Sequence, residues 1–351
     1  MQKKYHYEIV LNDGQKVSEP LTYKFGSTPN IELHISSQNA CIVFEQGVVH
    51  EPEEFLTSKD KLRTDAVKKV MLLHLLKYGI PLKICSVNIV VDGIQHIVFN
   101  RKSGDLPLIY SMVEGKLDYP LPDGWRDDNV LRMILSMPKS RYDGRMNALI
   151  ALLIAKSKKY YCEKSMYLWI GMNGFYCFLA EAVKKVCQTK ISDLGKEWQQ
   201  IRYFREVMHL PRSVKRIKDD DADIICKKAL SILCHLEMKP EELYSKLMSG
   251  QKTEYSEKLA ELLNEYDAEF DPLTFLVTWL PYKIRCNYFH ANQTVPLFLY
   301  ADELLLKSLE YTNYFVERFI EENLPRWMQA KDLSDADIKE LCNAYDALSK
   351  N

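Results

Sequence analysis

Asp118–Trp125 reads DYPLPDGW, and the chain changes character across it. Pro120, Pro122 and Gly124 interrupt any regular element there. Before this stretch, short apolar runs alternate with turn residues. After it, apolar residues recur at helical spacing almost to the end. Strands and helices segregated in this way predict an α+β protein. Its expected parts are a small β-rich N-terminal domain over 1–118, a helical bundle over 123–324 and a C-terminal helical tail over 325–351.

Upstream, Tyr5–Leu11, Ile31–Ile35 and Ala40–Phe44 read as strands. The clearest hairpin is Lys83–Val91, then Asp92-Gly93, then Ile94–Phe99, because Asp-Gly supplies the positive φ angles a two-residue turn needs. One helix, about Lys59–Tyr78, lies between them. Downstream, helices are expected over Asp127–Met137, Gly144–Tyr160, Ser165–Lys185, Gly195–Met208, Asp221–Leu236, Pro240–Met248, Tyr255–Glu269, Pro272–Leu280 and Leu299–Glu322. A last one, Ser334–Leu348, opens with a Ser334…Asp337 capping box.

The 351 residues favour two cores over one. A net charge of -1 provides no global field toward nucleic acid or anionic lipid, so any RNA contact must be a local patch. The nine cysteines contain no C-x-x-C pair, which suggests neither a disulfide framework nor a zinc ribbon and fits a reducing cytoplasm. The opening MQKKYHYEIV lacks the apolar core of a signal peptide. The longest largely apolar run, Met146–Ala155, is far short of the ~20 residues of a membrane span. The expectation is a cytoplasmic protein without membrane association.

The candidate chemistry lies in Ile284–Ala291, IRCNYFHA. Histidine as a residue type titrates near neutrality, so one at position 290 can take a proton from a ribose 2′-OH or give one to a leaving 5′-oxygen. Arg285 stays charged and offers a planar fork to charge developing on phosphorus. Such a pair can cleave RNA by transesterification with no metal or other cofactor. On a straight α-helix the two would stand ~140° apart. Either the arginine sits at or before a helix start, for which Pro281 is suited, or a second copy of the motif completes the site.

Lys283–Asn292 (KIRCNYFHAN) resembles the R-N-N-x-x-H-G signature of HEPN domains, especially the ApeA-like branch, with Arg285, Asn287, Phe289 and His290 on matching positions. Leu168–Tyr176 (LWIGMNGFY) resembles the W-x-x-x-N-x-x-Y helix that often precedes that signature, and the helix opening at Asp302-Glu303-Leu304-Leu305 resembles the one that follows it. The resemblance implies a metal-independent endoribonuclease, paired as a homodimer and acting on RNA in anti-phage defence or as a toxin. Arg285 and His290 would be catalytic, with Asn287 assisting. The N-terminal domain would then bind a phage or cellular trigger. Two positions depart from the pattern: Cys286 replaces a polar residue, and Ala291 replaces glycine. Cys286 removes a hydrogen-bond donor toward the phosphate, which leaves a catalytically silent HEPN module binding RNA or a protein partner as the alternative.

Arg202, Arg205, Arg212, Lys215 and Arg216 form a basic stretch that ends in the acidic run Asp219–Asp223. It reads either as an RNA-backbone patch or as a solvated loop neutralised by its own acidic end. Trp169, Asn173 and Tyr176 share one helix face, which reads as core. Histidine spacings supply no metalloenzyme signal, and Cys226, Cys234 and His235 read as buried thiols rather than a metal corner.

Overall fold

A computed structural model describes residues 5–12, 21–24, 30–46, 61–80, 82, 85–100, 121–136, 143–187, 194–289, 303–329 and 333–349. The protein is α+β, with its strands near the N-terminus and helices after them. Its contacts divide it into two compact units, Met1–Tyr142 with Pro325–Asp332, and Asp143–Leu324 with Leu333–Asn351.

The first unit is built on an antiparallel six-stranded sheet of order β2-β3-β4-β1-β5-β6. The strands are β1 (Tyr5–Leu11), β2 (Leu21–Lys24), β3 (Asn30–Ile35), β4 (Ala40–Gln46), β5 (Ser86–Val91) and β6 (Ile94–Asn100). Strand β1 is central, with Ile9 opposite Ile42 on one side and Ile89 on the other. Tyr7, Ile9 and Leu11 are buried while their neighbours are not, the period of two expected of a half-covered strand. Asp92 and Gly93 take positive φ of 47° and 84° and close the β5–β6 hairpin as their sequence requires. Strand β2 escaped the sequence reading because four residues are too few to display alternation.

Helix α1 (Lys61–Tyr78) precedes β5, and α2 (Asp128–Ser136) follows the sheet. Buried Lys69 donates from Nζ to the Leu135 carbonyl at 2.7 Å, a bond between α1 and α2. The α2 segment therefore belongs with the sheet, and the units divide at 142/143 rather than at the Pro/Gly-rich stretch over 118–125. Proline and glycine there end the strand pattern without ending the unit.

The second unit contains α3 (Gly144–Ser157), α4 (Tyr161–Cys187), α5 (Glu197–Val207), α6 (Ala222–Cys234), α7 (Pro240–Met248) and α8 (Glu254–Glu265). A composite rod over 272–289, here α9, follows. Then come α10 (Glu303–Met328), whose last turn from Pro325 belongs to the first unit, and α11 (Asp335–Ser349). Helices α3 and α4 cross so closely that a Cβ on Gly144 would stand 1.9 Å from the Gly174 carbonyl oxygen. Only glycine permits that approach. Lys156 of α3 is 1% exposed and meets Glu317 (2.8 Å) and Glu321 of α10, with Lys164 on the other Glu317 oxygen.

Helix α11 is not a separate tail. Its Leu341 carbonyl accepts the Tyr203 hydroxyl at 2.8 Å, and Cys342 forms a disulfide with Cys187 at the end of α4. This pair corrects the expectation of unpaired thiols and removes the support they lent to a reducing cytoplasm. A separation of 155 residues gives the pair no local spacing to read. The capping box is present as expected, with Ser334 Oγ bonded to Asp337 and accepting the Asp337 amide. Among the described residues, no helix is long and apolar enough to cross a membrane.

Candidate active site

Residues 272–289 run without a break: α-helical at Pro272–Thr274, π-helical at Phe275–Trp279, α-helical at Leu280–Ile284 and π-helical again at Arg285–Phe289. Pro281 was expected to break or start a helix, yet it sits inside this rod. The wide turn ahead of it, in which the Leu280 amide reaches back to the Phe275 carbonyl, accommodates a residue with no N–H to donate. Arg285 consequently lies in the last described turn of a continuous helix and not at a helix start.

Arg285 is partly buried. Its Nη1 is 3.2 Å from Glu197 Oε2, and Glu197 is the first residue of α5. With Ser165, Trp169, Pro281 and Asn313 it lines a hollow of about 10 Å³, room for about one water molecule. The Asp223 carboxyl is held below its ordinary value chiefly by Lys283, 2.9 Å away, with a smaller contribution from the Asn287 side chain. Burial, with Cys286 beside it, pushes the Tyr282 hydroxyl up to about 12. His290 and Ala291 lie outside the described residues.

The α4 face foreseen as core is partly so. Tyr176 is fully buried, and Trp169 packs against both Tyr176 (6.1 Å between ring centres) and Tyr282 (6.0 Å). Burial first, and then the Glu197 charge, raises the Tyr176 hydroxyl well above its ordinary value. Asn173 accepts from the Cys177 thiol of its own helix and is only partly buried.

The basic stretch separates into two groups. Arg202, Arg205, Arg212 and Arg216 line a single cleft of about 500 Å³, whereas Lys215 is turned to Asp267 at 2.8 Å. Of the acidic run, Asp219 lines the same cleft as the arginines. Asp223 goes to Lys283, and Arg212 pairs instead with Glu206 at 2.6 Å. The other wall was not foreseen: Trp198, Phe270, Trp279 and Tyr282 come from three separate segments. Arg202 lies over the Trp198 ring and Arg205 over Phe270, at 5.6 and 5.7 Å. A lone tryptophan or phenylalanine reads as core, so nothing in the local pattern marked these rings as one surface.

Among the described residues, no cluster of three or more His, Cys, Asp or Glu side chains could hold a metal ion. Cys226 is buried, which pushes its thiol up to about 12, and His235 bonds the Ser231 carbonyl of its own helix. No protein-family model, curated protein or solved structure matches this chain.

Proposed function

We propose that the chain is a HEPN-type endoribonuclease that cleaves RNA by metal-independent transesterification. The observation that carries this reading is the π-helical turn Arg285–Phe289, from which Arg285 and Asn287 project. An α-helix would set positions five apart on different faces, whereas the i→i+5 bonding of a π turn brings such positions toward one face. π turns are also concentrated at functional sites. In the reaction, His290 accepts the 2′-OH proton, the 2′-oxygen attacks phosphorus, and the 5′-oxygen leaves with a returned proton. The products are a 2′,3′-cyclic phosphate and a 5′-hydroxyl. Arg285 binds the phosphate and Asn287 assists. A homodimer completes the cleft, and the first unit binds a phage or cellular trigger in a defence or toxin role.

The experiment is incubation of the protein and its His290→Ala variant with structured RNA in EDTA, followed by analysis of the product ends. Cyclic-phosphate products from the parent alone support the reading. Equal cleavage by both, or by neither, overturns it. A specific observation favours a second reading, a non-catalytic module that binds RNA or a protein partner: Glu197 already pairs with Arg285.

A further inference from the structure

We propose that the arginine-lined cleft beside α5 is a binding site for a nucleoside phosphate, supplied as a free nucleotide or as one unpaired nucleotide of an RNA strand. The site uses neither Arg285 nor His290, so it stands apart from the proposed cleavage chemistry.

Size is the first argument. About 500 Å³ falls within the range of small-ligand sites, and is too small to admit a base-paired duplex. Charge is the second. Four arginines line the cleft against two carboxylates, Glu206 and Asp219, and Glu206 is already paired with Arg212. Arg202, Arg205 and Arg216 have no carboxylate partner among the described residues. Arg205 stands out because its Nε is buried with no hydrogen-bond partner. Burial first, then the positive charge of Arg202 and less so of Arg212, draws its guanidinium below the ordinary arginine value, against the opposing charge of Glu206. A guanidinium without a carboxylate partner presents a fork that a planar or tetrahedral oxyanion can meet with two bonds.

The rings supply the third argument. Trp198, Phe270, Trp279 and Tyr282 present aromatic surface to the same space, and Trp198 is 38% exposed. A bare phosphate would leave those rings uncovered, and an apolar ligand would leave the arginines unmet. A nucleotide carries both a stackable base and an oxyanion, the combination by which proteins hold unpaired nucleotides.

Tryptophan fluorescence of the full chain can be titrated with adenosine 5′-monophosphate, adenosine, inorganic phosphate, a 2′-O-methyl single strand and its duplex. The nucleotide, the single strand or both should give saturable quenching, with adenosine, phosphate and duplex binding distinctly more weakly. Arg205→Met and Arg216→Ala should each weaken binding by about 10-fold or more. Arg216 is exposed, so its variant carries the test if Arg205→Met does not fold. Free-nucleotide binding without strand binding identifies a small-molecule site, and the reverse identifies an RNA subsite; either supports the proposal. It is overturned if neither binds, if phosphate, adenosine or duplex binds as tightly, or if both variants bind like the parent. His290→Ala should retain binding, so a failure of the cleavage reading is distinguishable from a failure here.

Discussion

Glu197 Oε2 stands 3.2 Å from Arg285 Nη1, so the first residue of α5 holds the arginine near the end of α9. Arg202 and Arg205 of the same helix face the cleft. One short helix thus connects the candidate catalytic arginine to the candidate ligand site.

An RNA phosphate at Arg285 must compete with the Glu197 carboxylate. Both side chains are about a quarter exposed, at 28% and 23%, which limits the pair to a modest strength. Glu197→Gln should tighten RNA binding by about two- to five-fold, measured by fluorescence anisotropy at fixed salt. Unchanged or weaker binding would show that Arg285 does not engage phosphate.

Cys286 is partly buried beside Tyr282 and supplies a thiol where the resembled signature has a polar residue. Cys286→Asn restores an amide donor. Single-turnover cleavage should accelerate by about 10-fold, the value of one hydrogen bond made in the transition state. A rate no higher than the parent's would clear Cys286 of limiting the reaction.

Lys156 is opposed by its own burial, but Glu317 and Glu321 outweigh that and raise its pKa from the ordinary 10.5. Removing it leaves Glu317 with Lys164 and Glu321 with Arg318 as cationic partners, so Lys156→Met should cost about 3 kcal/mol in urea denaturation. Because the folded value is raised, the stabilisation is complete at neutral pH. It declines as pH rises past the ordinary lysine value and is lost above the raised one. The two carboxylates act oppositely in acid. Glu317 is lowered, despite burial, by Lys156 and Lys164, so its contribution is lost as pH falls through its folded value. Glu321 is raised, by burial first, so it regains stability on protonation and offsets part of that loss. The alkaline decline should be smaller in Lys156→Met than in the parent; equal declines would exclude this lysine as its source.

Cys187 and Cys342 tie α11 to the end of α4 across 155 residues of chain. Reduction, Cys187→Ser and Cys342→Ser should each lower stability by about 2–4 kcal/mol, and the double variant no further. Denaturation with and without reductant checks this, alongside a thiol count. Insensitivity to reductant would mean the bond contributes nothing to the fold.

Local pattern was enough for much of the architecture. Pro240–Met248 has the bounds its proline and apolar spacing predict, Asp92-Gly93 closes its hairpin, and Ser334 caps its helix through Asp337. These signals act over two to four residues, where backbone preference and capping operate without the rest of the protein. The motif at Arg285 was legible for the same reason, as a run of residue types. Tertiary structure decided what surrounds it. Glu197 reaches Arg285 from 88 positions away, Cys342 reaches Cys187 from 155, and Phe270 and Trp279 come to line one cleft with Arg202 and Arg205 only in the folded chain. Such contacts arise from how helices bury their apolar faces together, and no periodicity along the chain encodes which distant residues that burial will bring together.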